Sequence, residues 1–205
     1  MITLLPSGTD RALTVLREGG VGSFPTDTVY GLGGSSLLVE AVERVFSLKR
    51  RSLSHPLPLL LSGKEQLDMV AAEVPPVTWR LVDRFWPGAL TLVLRRTSRI
   101  PAIVTGGGPG VAVRVPDHPV PRSLAEGMGV PIVGTSANIT GRPNPTTASA
   151  VQEQLRDGVD FIIDGGPSPL GVESTVIDLT GVPRLLREGA IPKIDIERVL
   201  GCALQ

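Results

Sequence analysis

The sequence predicts an α/β domain in which a twisted sheet of parallel and antiparallel strands is flanked by helices. Short apolar runs alternate along the chain with segments whose apolar residues recur at helical spacing. Several of the runs are joined too tightly for helical crossovers, so antiparallel pairs must accompany parallel ones. Aromatic residues are only 3% of the chain against 41% hydrophobic residues in all, so the core must come mainly from Val, Leu, Ile and Ala. A chain of 205 residues fits one domain spanning 1–205. At that size folding hides roughly 70% of the surface the unfolded chain exposes.

Taken in order, Thr9 or Asp10 caps a helix that runs through Leu16 and is closed by Gly19-Gly20. "VGSFP" is a short strand. Leu38, Val42, Val45 and Phe46 mark a helix within Leu37 to Leu48. "PLPLLL" is a strand that starts with proline, which predicts a place near a sheet edge. Gly63 to Ala72 and Val77 to Phe85 read as helices, "ALTLVLRR" and "GVAVRVP" as strands, and Arg122 to Gly127 as a helix. "VPIVGTS" is a buried strand. "TTASAVQEQL" is a helix capped by Thr146 or Thr147. "DFIID", "STVIDL" and "PRLLRE" are strands, and Ile194 to Leu200 is a last short helix.

Lys and Arg balance Asp and Glu, giving zero formal charge, which argues against a protein held on nucleic acid or membrane by bulk charge. The one cysteine, Cys202, allows neither a disulfide framework nor a Cys-based metal site. The N-terminal stretch lacks the pattern of a secretory signal, and no apolar run reaches the ~18 residues of a membrane span. A soluble, cytoplasmic protein is expected.

The familiar catalytic motifs are missing. There is no G-x-x-x-x-G-K-[ST], "GLGGSS" lacks the full dinucleotide fingerprint, and "GTSANITG" is not G-x-S-x-G. Polar residues sit instead where predicted strands begin or end: Thr26, Asp27 and Thr28; Arg114; Ser136 and Asn138; Ser174 and Thr175; Arg187. Ligands of α/β sheets gather at strand ends, so these segments can converge on one pocket. Lys49, Arg50 and Arg51 close the second helix. Cations favour helix C-termini, by about 0.3–1 kcal/mol each, but no acidic residue nearby neutralises them, and a phosphate clamp fits as well. In "GVAVRVP" period-two alternation puts Val111, Val113 and Val115 on one face and Ala112 and Arg114 on the other. Alternation alone does not say whether Arg114 meets solvent or a pocket. "GGGPG" at Gly106 to Gly110 reads equally as a lid or a turn.

Six blocks in series carry a resemblance: "FPTDTVYGLGG", "LKRRSLSHPL", "FWPGALTLVL", "VAVRVPDHP", "GTSANITGRPNPT" and "ESTVIDL...LLREGAI". Together they resemble the YrdC-type threonylcarbamoyl-adenylate synthases, the TsaC group, in its short single-domain form. The K-x-R and S-x-N signature of that family reads here Lys49-Arg50-Arg51 and Ser136-Ala137-Asn138. The resemblance implies a YrdC-like fold and a reaction of L-threonine, bicarbonate and ATP that yields threonylcarbamoyl-AMP and pyrophosphate. It implies that partner proteins use the product to modify the adenosine beside the tRNA anticodon.

By the same resemblance Lys49, Arg51, Ser136 and Asn138 are the expected catalytic residues. They are expected to bind ATP together with His55, Asn144 and Arg187, with Mg²⁺ arriving on the nucleotide and no dedicated protein metal site. Thr28, Arg114 and Ser174 are expected to hold L-threonine, Arg114 through its carboxylate. His55 departs from the lysine or asparagine more usual at its place. Tyr30 would wall the amino-acid pocket. Weak RNA binding is a further expectation. Two rivals are an RNA-binding module and a paralogue of the YciO type; the intact signature argues against the second.

Overall fold

The computed structural model describes residues 1–205, which form two sheets wrapped by helices. In chain order the elements are β1 (Ile2–Leu4), α1 (Thr9–Arg17), β2 (Gly22–Phe24), β3 (Gly31–Gly33), α2 (Val39–Lys49) and β4 (Leu59–Leu60). Next come α3 (Leu67–Val70), β5 (Ala71–Glu73), α4 (Pro76–Phe85), β6 (Leu90–Arg96), β7 (Gly110–Arg114) and α5 (Pro119–Met128). The last are β8 (Ile132–Val133), β9 (Thr135–Ser136), α6 (Ala148–Leu155), β10 (Phe161–Ile163), β11 (Thr175–Asp178), β12 (Arg184–Arg187) and α7 (Lys193–Leu200).

The expected class holds, with the strands divided between two mixed sheets. The first runs β1-β10-β2-β3-β9, parallel across β1, β10 and β2 and antiparallel from β2 through β3 to β9. The second runs β12-β11-β6-β7-β4-β8, with β5 added against the far end of β6. Its β11–β6 and β7–β4 pairs are parallel, and its other pairs are antiparallel.

Several elements differ from the sequence expectation. The strand read in "VPIVGTS" breaks at Gly134: β8 joins the second sheet and β9 the first. A side chain at Gly134 would run into Leu60, and one at Gly33 would overlap the Val133 carbonyl. The crossing of the two sheets therefore needs glycine on both sides. β4 is not an edge, because Leu59 and Leu60 pair with β7 on one side and β8 on the other. Pro56 and Pro58 precede the paired residues and so remove no ladder donor. The helix read over Gly63 to Ala72 gives way to strand at Ala71. The N-terminal helix takes no side-chain cap, and the Thr9 hydroxyl instead donates to the Pro6 carbonyl. Thr147 does cap α6, accepting from the Ala150 N–H.

The larger core lies between the sheets and α2, α4 and α7, and is mostly Leu, Val and Ile, with Tyr30 and Phe46 among them. A smaller core locks α1 and α5 onto the first sheet through Leu13, Leu16, Leu124, Phe24 and Phe161. No helix is long and apolar enough to cross a membrane.

Candidate functional site

Where the two sheets meet, the chain leaves a cleft. Loops and strand ends from separate segments build it. After β2 the chain supplies Thr26, Thr28 and Tyr30; β4 supplies Leu60; β7 supplies Arg114; β9 supplies Thr135 and Ser136. Glu173 and Ser174 come from the start of β11 and Arg187 from the end of β12. Most of the lining is polar, as suits a charged, hydroxylated ligand.

One wall is a buried hydroxyl–guanidinium network. Arg114 is only 5% exposed, so the solvent-face alternative is excluded. Its Nε donates to the Gly88 carbonyl at 2.8 Å and its Nη1 to the Thr28 hydroxyl at 2.9 Å. Its Nη2 is paired with the Asp27 carboxylate, itself buried behind the lining. Thr28 shares a 2.9 Å hydrogen bond with Thr26, whose hydroxyl donates to the Val29 carbonyl. Ser174 shares a 2.8 Å bond with Thr91 across the β6–β11 pair. Burial lowers the pKa of Arg114, and Asp27 opposes that shift; the guanidinium stays charged.

Further lining residues are cationic. α2 packs its apolar stripe inward and ends at Arg50, whose backbone is left-handed, with φ 51°. That turn leaves Lys49 inside, Arg50 in solvent and Arg51 at the cleft. Arg51 is anchored by donating to the carbonyls of His55 at 3.3 Å and Pro56 at 3.0 Å. Its pKa is lowered by burial first and by the neighbouring Arg187 second, while Glu173 pulls the other way. Arg187 donates to the Ser174 carbonyl and pairs with Glu173 at 2.9 Å. Two guanidiniums thus face each other over a single lining carboxylate, which favours a multiply charged anion between them.

Lys49 behaves differently from a free clamp. It is 1% exposed and does not line the cleft. Its ammonium donates to the Ser136 carbonyl at 2.5 Å, and to the Asn138 carbonyl at 2.9 Å and side-chain oxygen at 3.0 Å. Ser136 in turn donates to the Asn138 side chain at 2.7 Å. Burial and the nearby Arg51 lower the Lys49 pKa to about 8, so the lysine is protonated at neutral pH. The K-x-R and S-x-N signatures are therefore one structural unit, in which the buried lysine fixes the loop that presents Ser136.

Of the residues expected from sequence, Thr28, Arg51, Arg114, Ser136, Ser174 and Arg187 line the cleft together. Lys49 and Asn138 support it from behind. His55 is exposed and Asn144 half-buried, and neither lines the cleft. Gly106 to Gly110 also lies outside the lining and forms a turn, with Gly106 and Gly107 left-handed. Tyr30 walls the cleft and ties down the 164–171 loop, donating to the Gly166 carbonyl at 2.8 Å and accepting from the Gly165 N–H at 3.2 Å. Sequence reasoning did not assign Glu173, Thr91 or Thr135; Glu173 directly precedes Ser174 in the "ESTVIDL" block.

The fold and a cleft that gathers Arg51, Arg114 and Arg187 among hydroxyls define an α/β domain with a polar, cationic cleft. The model of the family Sua5_yciO_yrdC, described as "Telomere recombination", matches residues 14–189, and the chain belongs to that family. A relative from Pyrococcus abyssi, named threonylcarbamoyl-AMP synthase, is 47% identical over 91% of this chain. The chain spans 55% of that relative's length. A crystal structure of P. abyssi Sua5 complexed with L-threonine is similar at 43% identity with a TM-score of 0.95, over 100% of this chain and 62% of that one. Escherichia coli YciO is similar at 29% identity with a TM-score of 0.83, over 93% of this chain and 95% of that one.

Proposed function

We propose that the protein is a threonylcarbamoyl-AMP synthase, a nucleotidyltransferase that joins L-threonine, bicarbonate and ATP. The observation that carries this reading is the pairing, in one cleft, of a forked carboxylate site at Arg114 and Thr28 with a polyanion site at Arg51 and Arg187. The identity to a relative named for that activity supports it, as does the likeness to a structure with L-threonine bound.

In this reading Arg114 holds the threonine carboxylate by a two-pronged contact, and the hydroxyls of Thr28 and Ser174 orient its polar groups. The amine, once deprotonated, adds to the carbon of bicarbonate, and loss of water leaves an N-carboxylate. An oxygen of that carboxylate attacks the α-phosphorus of ATP while the bond from that phosphorus to the pyrophosphate oxygen breaks. Phosphoryl-type transfer is mostly positioning and charge stabilisation. Arg51 and Arg187 meet the phosphates, and Ser136, held by Lys49 and Asn138, adds a short donor. Mg²⁺ bound to the phosphates would supply further neutralisation, and Glu173, the one lining carboxylate, would help hold it once the phosphates draw Arg187 out of the 2.9 Å pair the two side chains make. Contacts from His55 and Asn144 to the nucleotide are part of the same reading, although neither residue lines the cleft. The product passes to partner proteins acting on tRNA, with weak RNA contact and a cytoplasmic setting as parts of the same reading.

Incubation with ATP, L-threonine and bicarbonate tests it, by pyrophosphate release and mass spectrometry of the adenylate. Adenylate that needs all three substrates is the expected result. Its absence, with the fold intact, favours the YciO-like alternative.

A further inference from the structure

We propose that Asp27 is a positioning residue for amino-acid binding. Its buried carboxylate holds the Arg114 guanidinium in the orientation that leaves a two-pronged edge for the substrate carboxylate. This inference rests on the proposed function and adds a residue to it.

The donor inventory carries the argument. A guanidinium has five N–H donors in a fixed plane. In Arg114 three contacts are made: Nε to the Gly88 carbonyl, Nη1 to the Thr28 hydroxyl and Nη2 to the Asp27 carboxylate. Two N–H groups remain, one on each terminal nitrogen, and Arg114 lines the cleft. A planar group with one donor left on each terminal nitrogen is suited to a carboxylate that accepts both.

Asp27 makes that orientation unique. Both side chains of the pair are almost wholly buried, at 6% and 7% exposure. Without the carboxylate the guanidinium would be a buried cation with no paired anion, and Nη2 would lose the contact that fixes which of its N–H groups faces the cleft. Asp27 is itself fixed, because its carbonyl accepts from the Leu170 N–H at 3.0 Å while the next carbonyl, of Thr28, accepts from Gly171 at 2.9 Å. Other charges around the pair are Asp117, Arg187 and the imidazole of His118, which feels both Asp27 and Asp117. None of them makes a hydrogen bond or ion pair to the Arg114 side chain. Asp27 does not line the cleft, so it acts through Arg114 and not on substrate.

The experiment combines calorimetric titration of L-threonine with steady-state kinetics of Asp27→Asn, Arg114→Ala and the double variant. Asp27→Asn keeps the shape and removes the charge. Its threonine Kd and KM should rise at least tenfold, with the ATP KM changed less than about threefold. In the Arg114→Ala background the same substitution should add nothing to the threonine KM, since it acts only through the missing guanidinium. Unchanged threonine binding, equal losses for threonine and ATP, or additive losses in the double variant would each overturn the inference. If Asp27→Asn does not fold, Asp27→Glu decides: it keeps the charge but moves it, and should give a smaller rise confined to threonine. Wild-type protein that binds threonine without forming adenylate would sink the activity and leave the role of Asp27 standing. Wild-type protein that does not bind threonine would sink both.

Discussion

The Lys49 ammonium and the Asn138 side-chain oxygen lie 3.0 Å apart, although the two residues are separated by nearly half the chain. Three oxygens from Ser136 and Asn138 surround that ammonium within 3.0 Å. The lysine is held where burial penalises its charge, and the loop it organises carries Ser136 into the cleft.

This placement makes a titration prediction. The chain has three lysines, so each ε-amine can be followed separately through its Cε and Nζ resonances by NMR after isotopic labelling of lysine. Lys49 should titrate with a midpoint near 8, against an ordinary value of 10.5. A lysine whose folded pKa is lowered sheds its proton before the unfolded chain does. Between those two values the unfolded state binds more protons, so folding stability should rise with pH by up to about 3 kcal/mol. Denaturant titrations of wild type and Lys49→Met across that range should differ by this rise. A midpoint above 10 would mean that the surrounding oxygens outweigh burial.

Arg51 and Arg187 give a prediction in which stability and binding move apart. Their mutual repulsion is part of what lowers the Arg51 pKa. Arg51→Ala removes that repulsion, so the unliganded protein should melt no lower than wild type. ATP should bind at least tenfold more weakly, because a lost charge contact in a shielded site costs a few kcal/mol. The deficit should shrink as salt screens the remaining charge. Wild-type ATP affinity in both Arg51→Ala and Arg187→Ala would remove the pair from the nucleotide site.

Much of this was legible in the sequence, and the rest failed for physical reasons. Polar residues at the ends of apolar runs marked the cleft, because a strand must expose its end where the core stops. Thr28, Arg114, Ser174 and Arg187 were found in that way and by resemblance. β3 was invisible, since Gly31-Leu32-Gly33 has poor strand propensity and is a strand only because β2 and β9 pair with it on both sides. The split of "VPIVGTS" between two sheets depends on Gly33 and Gly134 meeting across a long sequence distance, which no local pattern reports. Lys49 read as a helix-end cation or a phosphate clamp, and its burial went unseen because its acceptors are mainly backbone carbonyls that come from 87 and 89 residues away. The partner of Arg114 was in plain view as Asp27, but only folding shows that the two are paired.

The hydroxyls in the cleft predict amino-acid preference. Thr26, Thr28, Thr91, Thr135, Ser136 and Ser174 all contribute to the lining. Valine has nearly the shape of threonine but would leave a polar partner unsatisfied. A site built around a substrate hydroxyl rejects the analogue lacking it far more strongly than one lacking a methyl. Threonine should therefore outcompete valine by several orders of magnitude in kcat/KM, and serine by about one methyl's worth, ~1 kcal/mol. Competition assays with the three amino acids at saturating ATP measure this, and equal turnover of threonine and valine contradicts it.

Tyr30 permits an unusually direct test, because it is the only tyrosine in the chain. Its hydroxyl binds the Gly166 carbonyl and the Gly165 N–H, and so anchors the loop whose Leu170 and Gly171 hold the backbone of Asp27 and Thr28. Burial, with Asp164 adding to it, raises the Tyr30 pKa, although the Gly165 N–H opposes the rise. A tyrosine whose folded pKa exceeds its unfolded value of 10.0 contributes stability that is whole below that value and lost as pH climbs through the folded one. The ultraviolet absorbance of tyrosinate, which reports this residue alone, should therefore appear later in the folded protein than in denaturant. Tyr30→Phe strands a carbonyl and an N–H, so it should cost about 1–3 kcal/mol and raise the threonine KM several-fold through the loosened loop. It should also abolish the alkaline loss of stability that Tyr30 causes. Coincident titration of folded and denatured protein, or a Tyr30→Phe variant with wild-type stability and threonine KM, would show that the ring serves only as packing.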